Sequence, residues 1–175
     1  MNIEIKDASG EDVDGIRYVL KTTWLDTYPN EELGITKEDI EQRFDDSTPE
    51  AQERLARQKQ NINTKPDRHE WVAKDGQVVG WCLALRGEEN HIQTLYILPE
   101  YQGKGAGGKL LTAALGWIGK DKEVSLNVAS YNQNAIGFYE RYGFVNKGEA
   151  AQNDLPPFPS GAVIPEITMV KKASE

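Results

Sequence analysis

The stretch Gln102-Gly103-Lys104-Gly105-Ala106-Gly107-Gly108 lies between an apolar segment ending at Leu98 and a run with helical spacing. Glycines let successive backbone N–H groups converge on one point, and the helix that follows adds the positive end of its dipole there. Lys104 and Lys109 bring formal charge nearby. The chemistry that suits such a turn is binding of a phosphate or pyrophosphate, although a tight structural corner would use the same residues. Two phosphate-binding patterns fit in form only. Gly103-x-Gly105-x-x-Gly108 has dinucleotide spacing, but Pro99-Glu100-Tyr101-Gln102 separates the strand from the first glycine. The next strand then offers Asn127 where a ribose-binding acid is wanted. Gly103-x4-Gly108-Lys109 opens like a P-loop, yet Leu110 stands where Ser or Thr must hold magnesium.

The elements that must hold this turn follow from period and punctuation. Ile3 and Ile5 alternate with polar residues, as in a short opening strand. Val13, Ile16, Leu20, Thr23 and Trp24 make the apolar stripe of a helix near 11–27, broken by Tyr28-Pro29-Asn30. Thr36 with Asp39 predicts an N-cap and capping acid for a second helix, and Thr48-Pro49 predicts a third. From Glu70 the pattern turns to strands: 71–74 and 77–81 flank Asp75-Gly76, a two-residue hairpin signal. A strand over 91–98 stops at Pro99, and the glycine turn opens a helix carrying Leu110, Leu111, Ala114, Leu115 and Ile118. Val124, Leu126 and Val128 alternate as a strand. Ala135, Phe138, Tyr139 and Tyr142 mark a short helix stopped by Gly143 in a left-handed conformation. Phe144-Val145 resumes strand; Pro156, Pro157, Pro159 and Pro165 make 153–165 a long loop; Ile167 and Met169 form a last strand. This order predicts a single α/β domain over 1–175 on a mixed, mostly antiparallel sheet, without a linker or an internal repeat.

Composition narrows the function. A net charge of −8 argues against a general nucleic-acid binder. The charge is uneven: residues 1–54 hold 15 acidic and 6 basic side chains, a net of −9, and the remainder is near neutral. That asymmetry favours a cationic substrate, although solvated helix faces alone would produce it too. No apolar run reaches the length of a membrane helix, and no apolar segment follows a basic start, so the expectation is a cytoplasmic protein with no membrane partner. Cys82, the one cysteine, sits in an apolar run and reads as a buried structural thiol. His69 and His91 lack ligand spacing, so no metal site is expected.

Two separated motifs carry a family resemblance. Gln102-Gly103-Lys104-Gly105-Ala106-Gly107 is similar to the Q/R-x-x-G-x-G/A signature of the GCN5-related N-acetyltransferase (GNAT) superfamily. Asn132-x-x-Ala135-x-x-x-Tyr139-Glu140-x-x-Gly143-Phe144 resembles its downstream pattern, and the likeness spans about residues 70–145. The resemblance implies a GNAT fold: about seven strands, four to five flanking helices, and strands 4 and 5 splayed to admit the pantetheine arm of acetyl-CoA. It implies that the backbone of Leu95, Tyr96 and Ile97 holds that arm, with Ile97 N–H a candidate oxyanion donor. It assigns the pyrophosphate to Gln102, Gly103, Lys104, Gly105, Ala106, Gly107 and Gly108. Asn132 would orient the arm from the other side, with Asn134 beside it, and Arg141 would reach the 3′-phosphate or adenine. Tyr139 takes the place of the general acid that protonates the thiolate; on its own spacing, between Phe138 and Tyr142, it reads as core.

The first helix and the last loop wall the acceptor site in this family. Here these contain Trp24, Tyr28 and Glu31, and the proline loop around Phe158. Aromatics beside acids suit a polyamine such as spermidine or spermine through cation–π contact and ion pairing, and the first segment resembles that of PaiA-like polyamine acetyltransferases. Trp24 also falls on the helix's apolar stripe, which reads as core. Peptide N-terminal amines, amino acids, aminoglycosides and a non-catalytic CoA sensor are the alternatives. Glu31, Glu32, Glu70 and His91 are the titratable residues from which a general base would be drawn, and none stands out. Sheet-edge pairing in this superfamily points to a homodimer.

Overall fold

The computed structural model describes residues 2–174. Its strands are β1 (Glu4–Asp7), β2 (Arg68–Asp75), β3 (Gln77–Leu85), β4 (Asn90–Ile97), β5 (Val124–Ala129), β6 (Val145–Glu149) and β7 (Glu166–Lys171). The helices are α1 (Val13–Thr27), α2 (Lys37–Arg43), α3 (Pro49–Asn61), α4 (Ala106–Ile118) and α5 (Gln133–Arg141). The seven strands form one sheet in the order β1-β2-β3-β4-β5-β7-β6. Every pairing is antiparallel except β4–β5.

Local chemistry explains where elements begin. The Thr36 hydroxyl accepts from the Asp39 N–H at 3.1 Å, and the Asp39 carboxylate takes the Thr36 N–H at 2.9 Å, closing the expected capping box on α2. The Thr48 hydroxyl caps α3 in the same way, accepting from Ala51 N–H at 3.2 Å, with Pro49 in the first helical position. Gly143 has φ +86° and ends α5 as expected. The hairpin departs from the two-residue expectation. Asp75 pairs with Gln77, and Gly76 alone turns the chain at φ +76°. A bulge between Ala73 and Lys74 shifts the register and supplies the extra residue.

Alternation along β3 and β4 assigns the faces. Gly80 lies against Ile97 and Leu110, so this face of the sheet packs on α4. Trp81, its neighbour, points to the opposite face and pairs with Tyr96, whose hydroxyl meets Tyr28 just past α1. The larger core joins Ile16 and Val19 of α1 on one face with Leu110, Leu111, Leu126, Phe144 and Met169 on the other. A smaller cluster on the α1 and α2 face joins Trp24, Tyr28, Ile40, Phe44, Phe158 and Ile164. Cys82 is fully buried in the first, and burial pushes its thiol far above the ordinary range, in keeping with the inert structural role expected.

The glycine turn is anchored by α4, whose Leu110 is wholly buried beside Gly80. Leu110→Ala should lower the unfolding free energy by about 2–5 kcal/mol in urea denaturation, through lost burial and a residual cavity.

Candidate active site

The parallel β4–β5 pairing covers only Asn90–Ile92 against Val124–Leu126. Beyond Ile92 the two strands separate, and β4 is left with one edge open from Gln93 to Ile97. A bulge opposite Leu83 and Ala84 places an extra residue in β4 where the parting begins. Leu98 N–H donates to Val79 O on the β3 side at 2.9 Å. Alternation then turns the N–H groups of Ile97 and Leu95 to the open edge.

At the upper end of that edge the chain makes a single 3-10 turn at Pro99–Tyr101 and enters the glycine turn. Gly105, at φ +87°, is the residue that starts α4; the left-handed conformation it holds would strain any side chain. The N–H groups of the first α4 turn have no intrahelical partner and face the turn. Gly108 allows the second close approach. A methyl there would collide with the Tyr142 hydroxyl, so the glycine lets α5 seat against α4. The Gln102 amide donates to Ile97 O at 3.1 Å, tying the turn to the strand exit. Lys104 is exposed, 5.4 Å from the Tyr101 ring, whereas Lys109 is drawn away to donate to Ile3 O at 3.0 Å.

The α5 side of the gap begins with Asn132. Its Oδ1 caps α5 by accepting from Ala135 N–H at 3.1 Å, and its amide nitrogen has no protein partner among the described residues. Asn134 and Arg141 are exposed, Arg141 with its guanidinium 6.0 Å from the Phe138 ring. Tyr139 is 7% exposed and packs edge-on to Phe138 and Phe144 at 5.2 and 5.7 Å. Its hydroxyl makes no hydrogen bond to the described residues and is not sealed from solvent. Burial, with Cys82 and Tyr96 nearby, pushes its pKa far up, so the group is a proton donor rather than a phenolate at neutral pH.

On the opposite face of the gap Trp24, Tyr28 and Tyr96 come together. The Tyr28 and Tyr96 hydroxyls are 3.0 Å apart, and Trp24 stands edge-on to Tyr28 at 5.0 Å. Trp24 Nε1 approaches the Tyr96 hydroxyl without the alignment of a hydrogen bond and has no other partner. Burial pushes the Tyr28 phenol well above its usual range and the Tyr96 phenol up to about 12. The Tyr131 hydroxyl donates to Tyr28 O at 3.0 Å, fixing the end of α1 to the β5–α5 turn. Glu31 is not part of this group: it is exposed in the turn closed by the Asn30–Ile35 bridge.

The loop between β6 and β7 covers this face. Arg43 of α2 holds it by donating to Pro156 O and Pro157 O at 2.7 and 2.9 Å, its guanidinium 4.5 Å over Phe158 and 5.2 Å over Trp24. Under the loop lie residues that spacing did not mark. Glu166 is 6% exposed, and one carboxylate oxygen accepts from Asp154 N–H at 2.7 Å and Leu155 N–H at 3.4 Å. His91 sits 2.8 Å from Asp154 through Nε2 and 2.8 Å from Ser125 through Nδ1. A polar residue alternating with Ile167 and Met169 was the only signal for Glu166, and it reads the same on a solvated strand face.

The comparisons with known proteins agree with this geometry. The model of the acetyltransferase (GNAT) family matches residues 34–144. The chain belongs to the GNAT family. Over 97 residues it is 36% identical to the peptidyl-lysine N-acetyltransferase YjaB of Escherichia coli K12. That match takes in 54% of this chain and spans only 62% of the length of YjaB. Among solved GNAT-type structures, PaiA N-acetyltransferase from Thermoplasma acidophilum in complex with coenzyme A superposes with a TM-score of 0.73 at 24% identity, covering 98% of this chain and 99% of that one. A GNAT-family acetyltransferase from Streptococcus pneumoniae gives 0.66 at 20% identity, covering 98% and 99%. The parted β4 and β5, the glycine turn and α5 thus sit in a GNAT fold throughout. Arg43→Ala should free the β6–β7 loop: hydrogen exchange across 151–163 should quicken while that of α4 stays unchanged.

Proposed function

We propose that the protein transfers the acetyl group of acetyl-CoA to a primary amine. The observation that carries this reading is the half-open β4 edge, running from the parting at Ile92 to a glycine turn with unpaired amides. An extended amide-bearing arm can pair with the Leu95 and Ile97 backbone as a further strand would, while its pyrophosphate lies on the first turn of α4. In this reading Gln102 to Gly108 are the phosphate end, Asn132 and Asn134 face the arm from α5, and Arg141 serves the nucleotide end.

The chemistry follows from what the reaction needs. An alkylamine with a pKa of about 10.4 must arrive at the thioester as the neutral base. Its nitrogen attacks the acetyl carbonyl, the C–N bond forms, the oxyanion accepts from the Ile97 N–H, and the C–S bond breaks as the amine's proton passes to solvent water. The thiolate of CoA takes the Tyr139 proton. The Tyr139 hydroxyl keeps its proton at neutral pH and has no other hydrogen-bond partner among the described residues, and the phenolate left behind recovers a proton from solvent.

For the acceptor we favour a polyamine, on the support of the Trp24, Tyr28 and Tyr96 wall and its acidic surroundings. The identity to a peptidyl-lysine N-acetyltransferase supports a second acceptor, the lysine side chain, which presents the same alkylammonium. Free-thiol release from acetyl-CoA over a panel of spermidine, spermine, lysyl peptides, peptides with free N-termini and aminoglycosides should be fastest with the polyamines. Release with none of these amines would overturn the enzymatic reading and leave a CoA binder. Tyr139→Phe should lower kcat about 10²-fold, with CoA affinity by calorimetry unchanged; wild-type turnover would remove Tyr139 from the acid's role.

A further inference from the structure

A carboxylate withdrawn from water needs a counterion or a full set of donors. Glu166 has neither among the described residues. Its side chain lies under the β6–β7 loop, only one of its two oxygens is held, and no lysine or arginine stands within ion-pair distance. The other oxygen makes no hydrogen bond but is not sealed away from solvent. Burial raises this carboxyl's pKa despite the two backbone N–H groups that pull it down, with Asp154 raising it further and His91 opposing. The groups around it are of one kind. Tyr28 and Tyr96 both feel its charge across the gap. Asp154 is hydrogen-bonded to His91, which makes the bed of the site acidic around one imidazole.

The aromatic side of this space is closely packed. Trp24 Nε1 is sealed from solvent near the Tyr96 hydroxyl. Trp24 is 5% exposed, with its ring among Tyr28, Phe44 and Phe158. An aromatic wall facing a lone carboxylate is the arrangement that receives an alkylammonium ion, through cation–π contact on one side and an ion pair on the other.

From this geometry we infer that Glu166 is the acceptor-binding carboxylate: its free oxygen takes the ammonium group of the incoming amine between the Trp24, Tyr28 and Tyr96 wall and the β7 start. The inference rests on the proposed acetyltransferase reading for its biological meaning, but the binding event needs no acetyl-CoA. Glu31, in the turn after α1, is exposed and lies outside this group. The role is recognition. The cation replaces the counterion that the fold withholds, so a neutral isostere of the same shape should gain little from the site.

Spermidine is the probe. Its binding to the full chain, followed by calorimetry without acetyl-CoA, should be about tenfold or more weaker in Glu166→Gln than in wild type. Gln keeps an oxygen for the Asp154 and Leu155 N–H groups, and unchanged CoA binding would certify the fold. Glu166→Asp, which keeps the charge, should recover part of the affinity. In wild-type protein carrying 13C at glutamate Cδ, spermidine should also move one buried carboxyl resonance, a readout that does not depend on the variants folding. Equal spermidine affinity in wild type and Glu166→Gln, or no moving carboxyl resonance, overturns the inference. Spermidine binding that depends on Glu166 without thiol release from acetyl-CoA would uphold it and overturn the polyamine as the acetyl acceptor instead.

Discussion

Backbone hydrogen bonding between β4 and β5 stops after three residues on each strand, and the remaining features of the site depend on that break. Unpaired strand edges are costly when buried and prone to pair with other chains when exposed. Here the open edge faces a gap walled by α5 and by the α1–α2 side, which leaves room for an extended ligand. The bulge in β4 marks where the strand leaves its partner, and β3 backs it along its full length. Because β3 remains paired, the edge stays straight and its amides keep fixed directions.

Each side of the gap then acquires a different chemistry. The α4 and α5 side supplies free helix amides and a protonated phenol; its close packing relies on glycine at 108, and the left-handed start of α4 on glycine at 105. The α1 and α2 side supplies aromatic rings, a hydroxyl pair and a buried carboxylate under a loop clamped by Arg43. An anionic cofactor is suited to the first environment and a cationic acceptor to the second. The strand between them presents backbone to one and the Tyr96 side chain to the other.

Several elements were legible because their signals are local. The capping box at Thr36 and Asp39, the Thr48-Pro49 start and the Gly143 stop depend on residues within one turn of each other, and the structure has all three. The Asp75-Gly76 hairpin was located correctly but turns at Gly76 alone, because the bulge at Ala73 and Lys74 is decided by pairing across strands. Trp24 was open to two readings from its helical stripe, and the fold packs it as core, with its indole N–H beside Tyr96. Glu31 drew notice for lying near aromatics in sequence, yet the turn after α1 carries it outward.

By itself the sequence determined the strand and helix order, the phosphate-suited turn, the inert Cys82 and the residues of the two motifs, since each rests on period, turn chemistry or spacing along a continuous stretch. Only the tertiary structure decided how far β4 and β5 stay paired, and which acids are buried. Those outcomes depend on residues far apart in the chain: Glu166 meets Asp154 and Leu155 across a loop, His91 reaches Asp154 across 63 positions, and Tyr28 meets Tyr96 across 68. A polar residue on one face of a strand carries the same local pattern whether water or a folded loop covers it, so the burial of Glu166 could be decided only when the loop closed over the sheet.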